Sequence, residues 1–310
     1  MRRSRAVVTL VALAGAAALV AAAPPSLPTM KDLTPRDLPG IHNAVAYHEG
    51  FISGGVPQGG AAFDALKAMG VKTIISVDGA VPEVDAAASR GIRYIHLPIG
   101  YNGFDEKRRL ELSRAVRDAM AKGPVFLHCH HGKHRSAGAA GAVAVSLGWA
   151  TPDAMIERMR VSGTAPNYTG LYRGTREATP ISMEALDALD GDFPSVSTPN
   201  DFVGAMVETD EVFEHLKAIR KAGWRTPTDH PDLVPVAEAG RLADLFRHQH
   251  DSEYSGRKTD DFRAMMESSR ANAQAIEHEL AGAAPNAASM SAAFEAIGAS
   301  CHDCHARYRD

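Results

Sequence analysis

The stretch Leu127-His128-Cys129-His130-His131-Gly132-Lys133-His134-Arg135-Ser136 constrains this chain more than any other. It follows an apolar run from Pro124 to Leu127 and leads into a small-residue run, Ala137 to Val145, that can start a helix. Successive backbone N–H groups in a turn entering a helix N-terminus converge on one point and carry the positive end of the helix dipole, so that point attracts an anion. A cysteine placed there has its thiolate stabilised by the same groups and becomes a nucleophile. Arg135, six positions on, offers a planar fork for two phosphoryl oxygens. Gly132 permits a positive φ inside the loop. Ser136 is placed to donate a hydrogen bond to the sulfur when it leaves as thiolate. Together they describe a cradle for a phosphate-sized dianion.

A bare Cys-x5-Arg is a weak pattern, and other chemistries share parts of it. Sulfur transfer also uses one loop cysteine, but the Arg135-Ser136 pair favours phosphate. Cys129 with His128, His130, His131 and His134 has the donors of a metal cluster, yet neighbours in so tight a loop rarely reach one ion. His-Cys-x5-Arg-Ser resembles the signature of the cysteine-dependent phosphatases of the tyrosine and dual-specificity superfamily. The resemblance implies Cys129 as nucleophile, Arg135 as phosphate clamp and Ser136 as leaving-group donor. It also implies a phosphate-binding loop of His130, His131, Gly132, Lys133, His134 and Arg135. Lys133 and the histidines make that loop unusually basic, which hints at a highly anionic substrate.

Three further elements extend the likeness over roughly residues 40–178. They are Gly54-Gly55-Val56-Pro57, the run from Gly70 through Lys72-Thr73-Ile74-Ile75, and the run Gly91-Ile92-Arg93-Tyr94-Ile95-His96-Leu97-Pro98-Ile99. In that family an upstream aspartate protonates the leaving alcohol. The corresponding loop here, Pro98 to Asp105, carries Asn102 at that position, and an amide cannot donate the proton. Asp105 is the candidate acid, in competition with a role as N-cap of the helix beginning at Glu106. His131 and His134 are substitutes from the loop itself.

Strand-like runs at Val71 to Val77 and at Ile92 to Ile99 alternate with helical stretches at Ala61 to Ala68, Pro82 to Ser89 and Asp105 to Lys122. This predicts an α/β sheet with flanking helices and with the loop at the C-terminal end of a strand, where open α/β sheets bind ligands. Tyr168 and Tyr172 read as packing residues that close the domain.

At 310 residues the chain has room for two domains. Its net charge of -4 argues against a nucleic-acid binder. Residues 1–23 have the layout of a signal peptide: Arg2, Arg3 and Arg5, an apolar run from Ala6, then Ala21-Ala22-Ala23. Export to the periplasm is expected, with no stable membrane span after cleavage; an uncleaved anchor is the competing reading. Residues 24–39 read as a proline-rich linker, 40–190 as the phosphatase-like domain, and the turn-rich run from Asp190 to Pro199 as the domain junction. Only three cysteines occur, so disulfides do not staple this chain.

The other two cysteines stand in Cys301-His302-Asp303-Cys304-His305, the Cys-x-x-Cys-His motif that attaches c-type haem. Two thiols three residues apart on a helix reach the two haem vinyl groups, and His305 then lies over the iron as proximal ligand. No second cysteine pair completes a zinc site. Helical patterns at Asn200 to Ala222, Leu233 to His250, Thr259 to Leu280 and Ala287 to Tyr308 predict an all-α four-helix bundle over 198–310. A haem motif at the end of such helices resembles class II cytochrome c, the cytochrome c-prime type, which implies one covalent haem c. Met206 is the candidate distal ligand and His215 a weaker one; His248 and His250 read as solvated. The expected protein is an exported phosphatase-like enzyme, forming a Cys129 phospho-enzyme, fused to a haem domain for electron transfer or gas sensing. Its expected partners are a phosphorylated small molecule or protein and a redox partner. The alternative is a haem carrier or sensor whose phosphatase-like domain only docks an anionic partner.

Overall fold

A computed structural model describes residues 25–197 and 202–308. The expected signal peptide lies outside them. The N-terminal half runs β1 (Arg36–Leu38), β2 (Ile41–His48), β3 (Phe51–Gly54), α1 (Gly59–Ala68), β4 (Thr73–Ser76), α2 (Val84–Ala88), β5 (Arg93–His96), α3 (Glu106–Met120), β6 (Val125–His128), α4 (Arg135–Ser146), α5 (Pro152–Val161), α6 (Thr169–Arg176) and α7 (Met183–Asp187). The C-terminal half is helical, with α8 (Phe202–Lys221), α9 (Pro235–Asp251), the short α10 (Glu253–Gly256), α11 (Asp260–Ala281) and α12 (Ala287–Tyr308).

The strands form one mixed sheet in the order β1-β2-β3-β6-β4-β5. β1, β2 and β3 pair antiparallel, while β6 runs parallel to both β3 and β4. All four residues of β6 are buried, because helices cover the sheet there on both sides. Cys129 follows β6 directly and so emerges at the C-terminal edge of a central strand, as expected of an α/β site. Residues 36–38, placed in the linker by composition, form the edge strand β1, and Asp32 O accepts from Arg158 Nη1 at 2.8 Å. Proline-rich composition hid this edge, whose pairing needs only three residues.

Four long helices occupy the spans expected of the C-terminal half. α9 lies against α8 and α11, and α11 against α12. α8 and α12 meet antiparallel, with the Phe213 and Phe294 rings stacked at 4.4 Å and Arg220 paired with Glu295. No described helix is long and apolar enough to cross a membrane.

The sequence suggests two modules joined by a loose junction, whereas the structure packs the halves face to face around one continuous apolar core. Even the turn-rich junction is pinned: His96 N donates to Pro194 O at 2.9 Å, and Ser197 Oγ donates to His96 O at 2.6 Å. The face that results lies over the loop after β6.

Candidate active site and its charge network

The loop is held from outside by its carbonyls. Val56 N donates to His130 O at 3.1 Å, Asn43 Nδ2 to Gly132 O at 2.9 Å, and the Thr164 hydroxyl to Lys133 O. Carbonyls tied outward leave the loop's N–H groups for its inner side, as an anion cradle requires. Gly132 has φ +74°, and a Cβ there would meet Gly55 N at 2.3 Å, so only glycine fits. Asn43 is left-handed at φ 60° and also donates to Ser162 O at 2.9 Å, which clamps the loop to the end of α5.

Cys129 is buried, and its Sγ donates to Ser136 Oγ at 3.3 Å. When the sulfur is a thiolate the direction reverses and the Ser136 hydroxyl donates. Arg135 opens α4 and is 3 % exposed. The structure therefore brings together Cys129, Gly132, Arg135 and Ser136 as the loop pattern requires.

Sequence reasoning missed what faces Arg135. Its Nη2 lies 2.7 Å from Asp244 Oδ2 on α9 and 3.4 Å from Asp78 Oδ1, just after β4, and donates to Tyr101 OH at 3.0 Å. The guanidinium also stands 4.2 Å over the Tyr101 ring. Arg247, one turn beyond Asp244, closes the square: its Nη2 is 2.7 Å from Asp78 and 2.7 Å from Asp244. Two cations and two anions thus balance in a buried quartet shared by the two halves. Burial alone would raise Asp78 and Asp244, but Arg135 and Arg247 outweigh it and hold both carboxyls below the usual range. One donor stays out of the quartet: Arg135 Nε is buried with no hydrogen-bond partner among the described residues.

The loop is less basic than its histidine count suggests. Burial, with Lys133, Arg135 and His131 adding repulsion, pushes His134 down to about 3, and its ring stacks on Tyr168 at 4.1 Å. Burial, with Arg247 and His131, brings His130 to about 4. His128, fully buried against Tyr94 OH at 2.7 Å, also falls to about 4. Neutral at pH 7, His134 is a poor proton donor, which removes one substitute acid. His131 is lowered as well, mainly by burial, and sits beside Gln274 of α11. Lys133 is exposed on the outer side of the loop.

Asp105 takes the capping role: its Oδ1 accepts from Arg108 N at 2.8 Å, and the residue is exposed. Asn102 turns to the helical half, where its Nδ2 donates to Glu238 Oε1 at 3.1 Å. Another carboxyl does approach the site. Glu277 of α11 accepts from Tyr168 OH at 2.6 Å, and burial pushes it up to about 7. Tyr168, read as packing, is thus a polar link to α11, while Tyr172 OH donates to Thr164 O at 2.7 Å. His248, read as solvated, is half-buried: its ring lies where a Cβ on Gly79 would stand.

The Cys301, Cys304 and His305 set lies on α12. Cys304 is buried, Cys301 half-buried and His305 exposed, with both thiols free. Burial pushes the Cys301 thiol up to about 11 and raises Cys304 as well. A Cβ on Gly298 would touch Phe213 at 3.6 Å, and the charge of Asp210 acts on Cys301. One further helical turn along that antiparallel register puts Met206 at the level of His305. Met206 is half-buried against the core. His215 is engaged elsewhere, its Nδ1 2.9 Å from Glu238 Oε2. Two thiols and an imidazole within two turns of one helix are the donor set that a c-type haem takes.

No protein-family model and no curated protein matches the sequence. Among solved structures, the chain is similar to TpbA of P. aeruginosa at 20 % identity and a TM-score of 0.41, over 49 % of this chain and 92 % of that one. It is similar to the DUF442 protein of Shewanella putrefaciens CN-32 at 19 % identity and TM-score 0.38, over 45 % and 95 %. It is also similar to the core catalytic domain of the PP-IP phosphatase SIW14 from S. cerevisiae at 15 % identity and TM-score 0.33, over 51 % and 90 %.

Proposed function

We propose that the chain is an exported cysteine-dependent phosphate monoester hydrolase joined to a haem c four-helix bundle. The observation that carries the hydrolase reading is Arg135 Nε, a buried unpartnered donor on the loop where Cys129 Sγ and Ser136 Oγ lie 3.3 Å apart. A buried guanidinium N–H without a partner is unfavourable, and an oxyanion relieves it. The Cys129 thiolate attacks phosphorus, the bond from phosphorus to the alcohol oxygen breaks, and the departing oxygen takes a proton from water. Water then attacks the phosphocysteine, releasing inorganic phosphate, while Ser136 donates to the returning thiolate. With Asn102 in place of an acid, esters with good leaving groups are the ones turned over.

In the helical half, Cys301 and Cys304 would hold a haem c covalently, with His305 and Met206 as the residues that would ligate its iron. A haem c held there would supply one-electron exchange or small-gas binding, and the first would call for a redox partner. The layout of residues 1–23 supports export to the periplasm, the compartment in which c-type haem is attached.

A second reading has its own support. Asp78 and Asp244 already pair with Arg135, and position 102 lacks an acid, so the loop could dock an anionic partner without turnover. Production in a host that matures cytochrome c, followed by absorption spectra and hydrolysis of an activated aryl phosphate under reducing conditions, separates the two. Release by the wild type and not by Cys129→Ser supports the hydrolase; equal release by both leaves only docking.

A further inference from the structure

Between the C-terminal edge of the sheet and the helical half lies a cavity of about 910 Å³. Its lining includes Arg135, Tyr101 and Asp244, the part of the charge network that adjoins the Cys129 loop. Pro98 and Ile99, after β5, and Phe202, Ala205 and Leu245 of α8 and α9 also line it. Its mouth is at Val81, Asp251 and Glu253, all exposed. A volume of this size suits one or two rings and their substituents.

Charge narrows the occupant. The lining carries four carboxylates, Glu208, Asp244, Asp251 and Glu253, against two guanidinium groups, Arg135 and Arg241. Arg241 is held by Glu208 at 2.8 Å on the wall, while Arg135, paired with Asp244 at 2.7 Å, is the guanidinium on the Cys129 loop that an incoming phosphoryl group meets. A second phosphate farther out would meet an excess of negative charge. Lys133, which suggested a polyanion in the sequence, does not line this cavity. The walls come from both halves, so a phosphorylated side chain on a folded protein would have to enter past α8 and α10.

We propose that this chamber is the substrate site for a small phosphate monoester whose alcohol is uncharged and part apolar. The phosphoryl group displaces Asp244 from Arg135 Nη2 and takes up Nε, while the alcohol portion lies against Ile99, Phe202 and Leu245. This rests on the hydrolase reading of Cys129 and names its substrate class. The chamber is separate from the haem face of α8: Phe202, Ala205 and Glu208 recur at a spacing of three, while Met206, Asp210 and Phe213 form the stripe toward α12.

Val81→Trp and Ala205→Trp narrow the mouth and one wall without touching the loop. In the full haem-loaded chain, each should raise KM for 1-naphthyl phosphate by about 10-fold, with a much smaller change in kcat. Inhibition by orthovanadate, which reads the loop alone, should move by less than about twofold. The haem absorption spectrum of each variant reports whether the helical half is still assembled. A KM within about twofold of wild type in both variants overturns the proposal. So does a wild type with higher kcat/KM on a phosphotyrosine-bearing folded protein or an inositol polyphosphate. Failure of the hydrolase reading looks different: wild type and Cys129→Ser release equally little alcohol from every ester, and the substrate assignment falls with it.

Discussion

Cys129 and the Cys301–Cys304 pair are built in opposite ways. The first site is assembled from distant parts of the chain: β6 and α4 supply the sulfur and the clamp, Asn43 and Thr164 tie the loop, and Asp244 and Arg247 arrive from α9. The second is contained in two turns of α12 and needs only helix geometry to bring its thiols and imidazole together. Chemistry at Cys129 is therefore hostage to the packing of the two halves, while the motif on α12 is not. Four substitutions test that contrast.

The largest effect should come from Arg135→Lys, which keeps the charge but loses the fork. Hydrolysis of an aryl phosphate should fall by about 10²–10³-fold in kcat, with the haem spectrum unchanged. Loss of both signals would mean that the halves are not separable in this way. Next, Asp244→Ala leaves two buried guanidinium groups facing one carboxylate and should lower stability by roughly 3–5 kcal/mol in denaturant unfolding.

Glu277→Gln tests the interface by its pH dependence. The folded protein holds the Glu277 proton up to about 7, whereas the unfolded chain releases it near 4.5. Between those values the folded state binds the extra proton, so wild-type stability falls as pH rises. Relative to the variant, the wild type should lose up to about 3 kcal/mol across that window. The buried histidines run the other way: His128, lowered to about 4, destabilises the fold as pH drops below 6.5. A pH-independent difference between wild type and Glu277→Gln would place Glu277 in solvent. The smallest effect belongs to Met206→Leu, which should alter the axial-ligand bands of the haem spectrum and leave hydrolysis alone.

These two designs also explain what could be read from the sequence. Gly132, Arg135 and Ser136 stand within one loop, and the capping of α3 by Asp105 is a neighbour relation, so local spacing revealed them. Asp244 and Arg247 read as an ordinary pair three apart on a helix, and only tertiary packing turns that pair onto Arg135. Asp78 is a residue after a strand until β4 is set beside β6. The loop's histidine charge was illegible for the same reason, since burial, which no motif records, keeps His128, His130 and His134 neutral. The edge strand β1 stayed hidden because its pairing partner, not its own composition, makes it a strand.

The central claim is that Cys129 carries the phosphoryl group during turnover. Acid quenching of the full chain during hydrolysis of an aryl phosphate, followed by mass spectrometry of the peptide containing Cys129, tests it directly. The account requires a phosphate mass on that peptide in the wild type and none in Cys129→Ser, which should also be inactive. Turnover without that adduct in the wild type, or hydrolysis retained in Cys129→Ser, would contradict it.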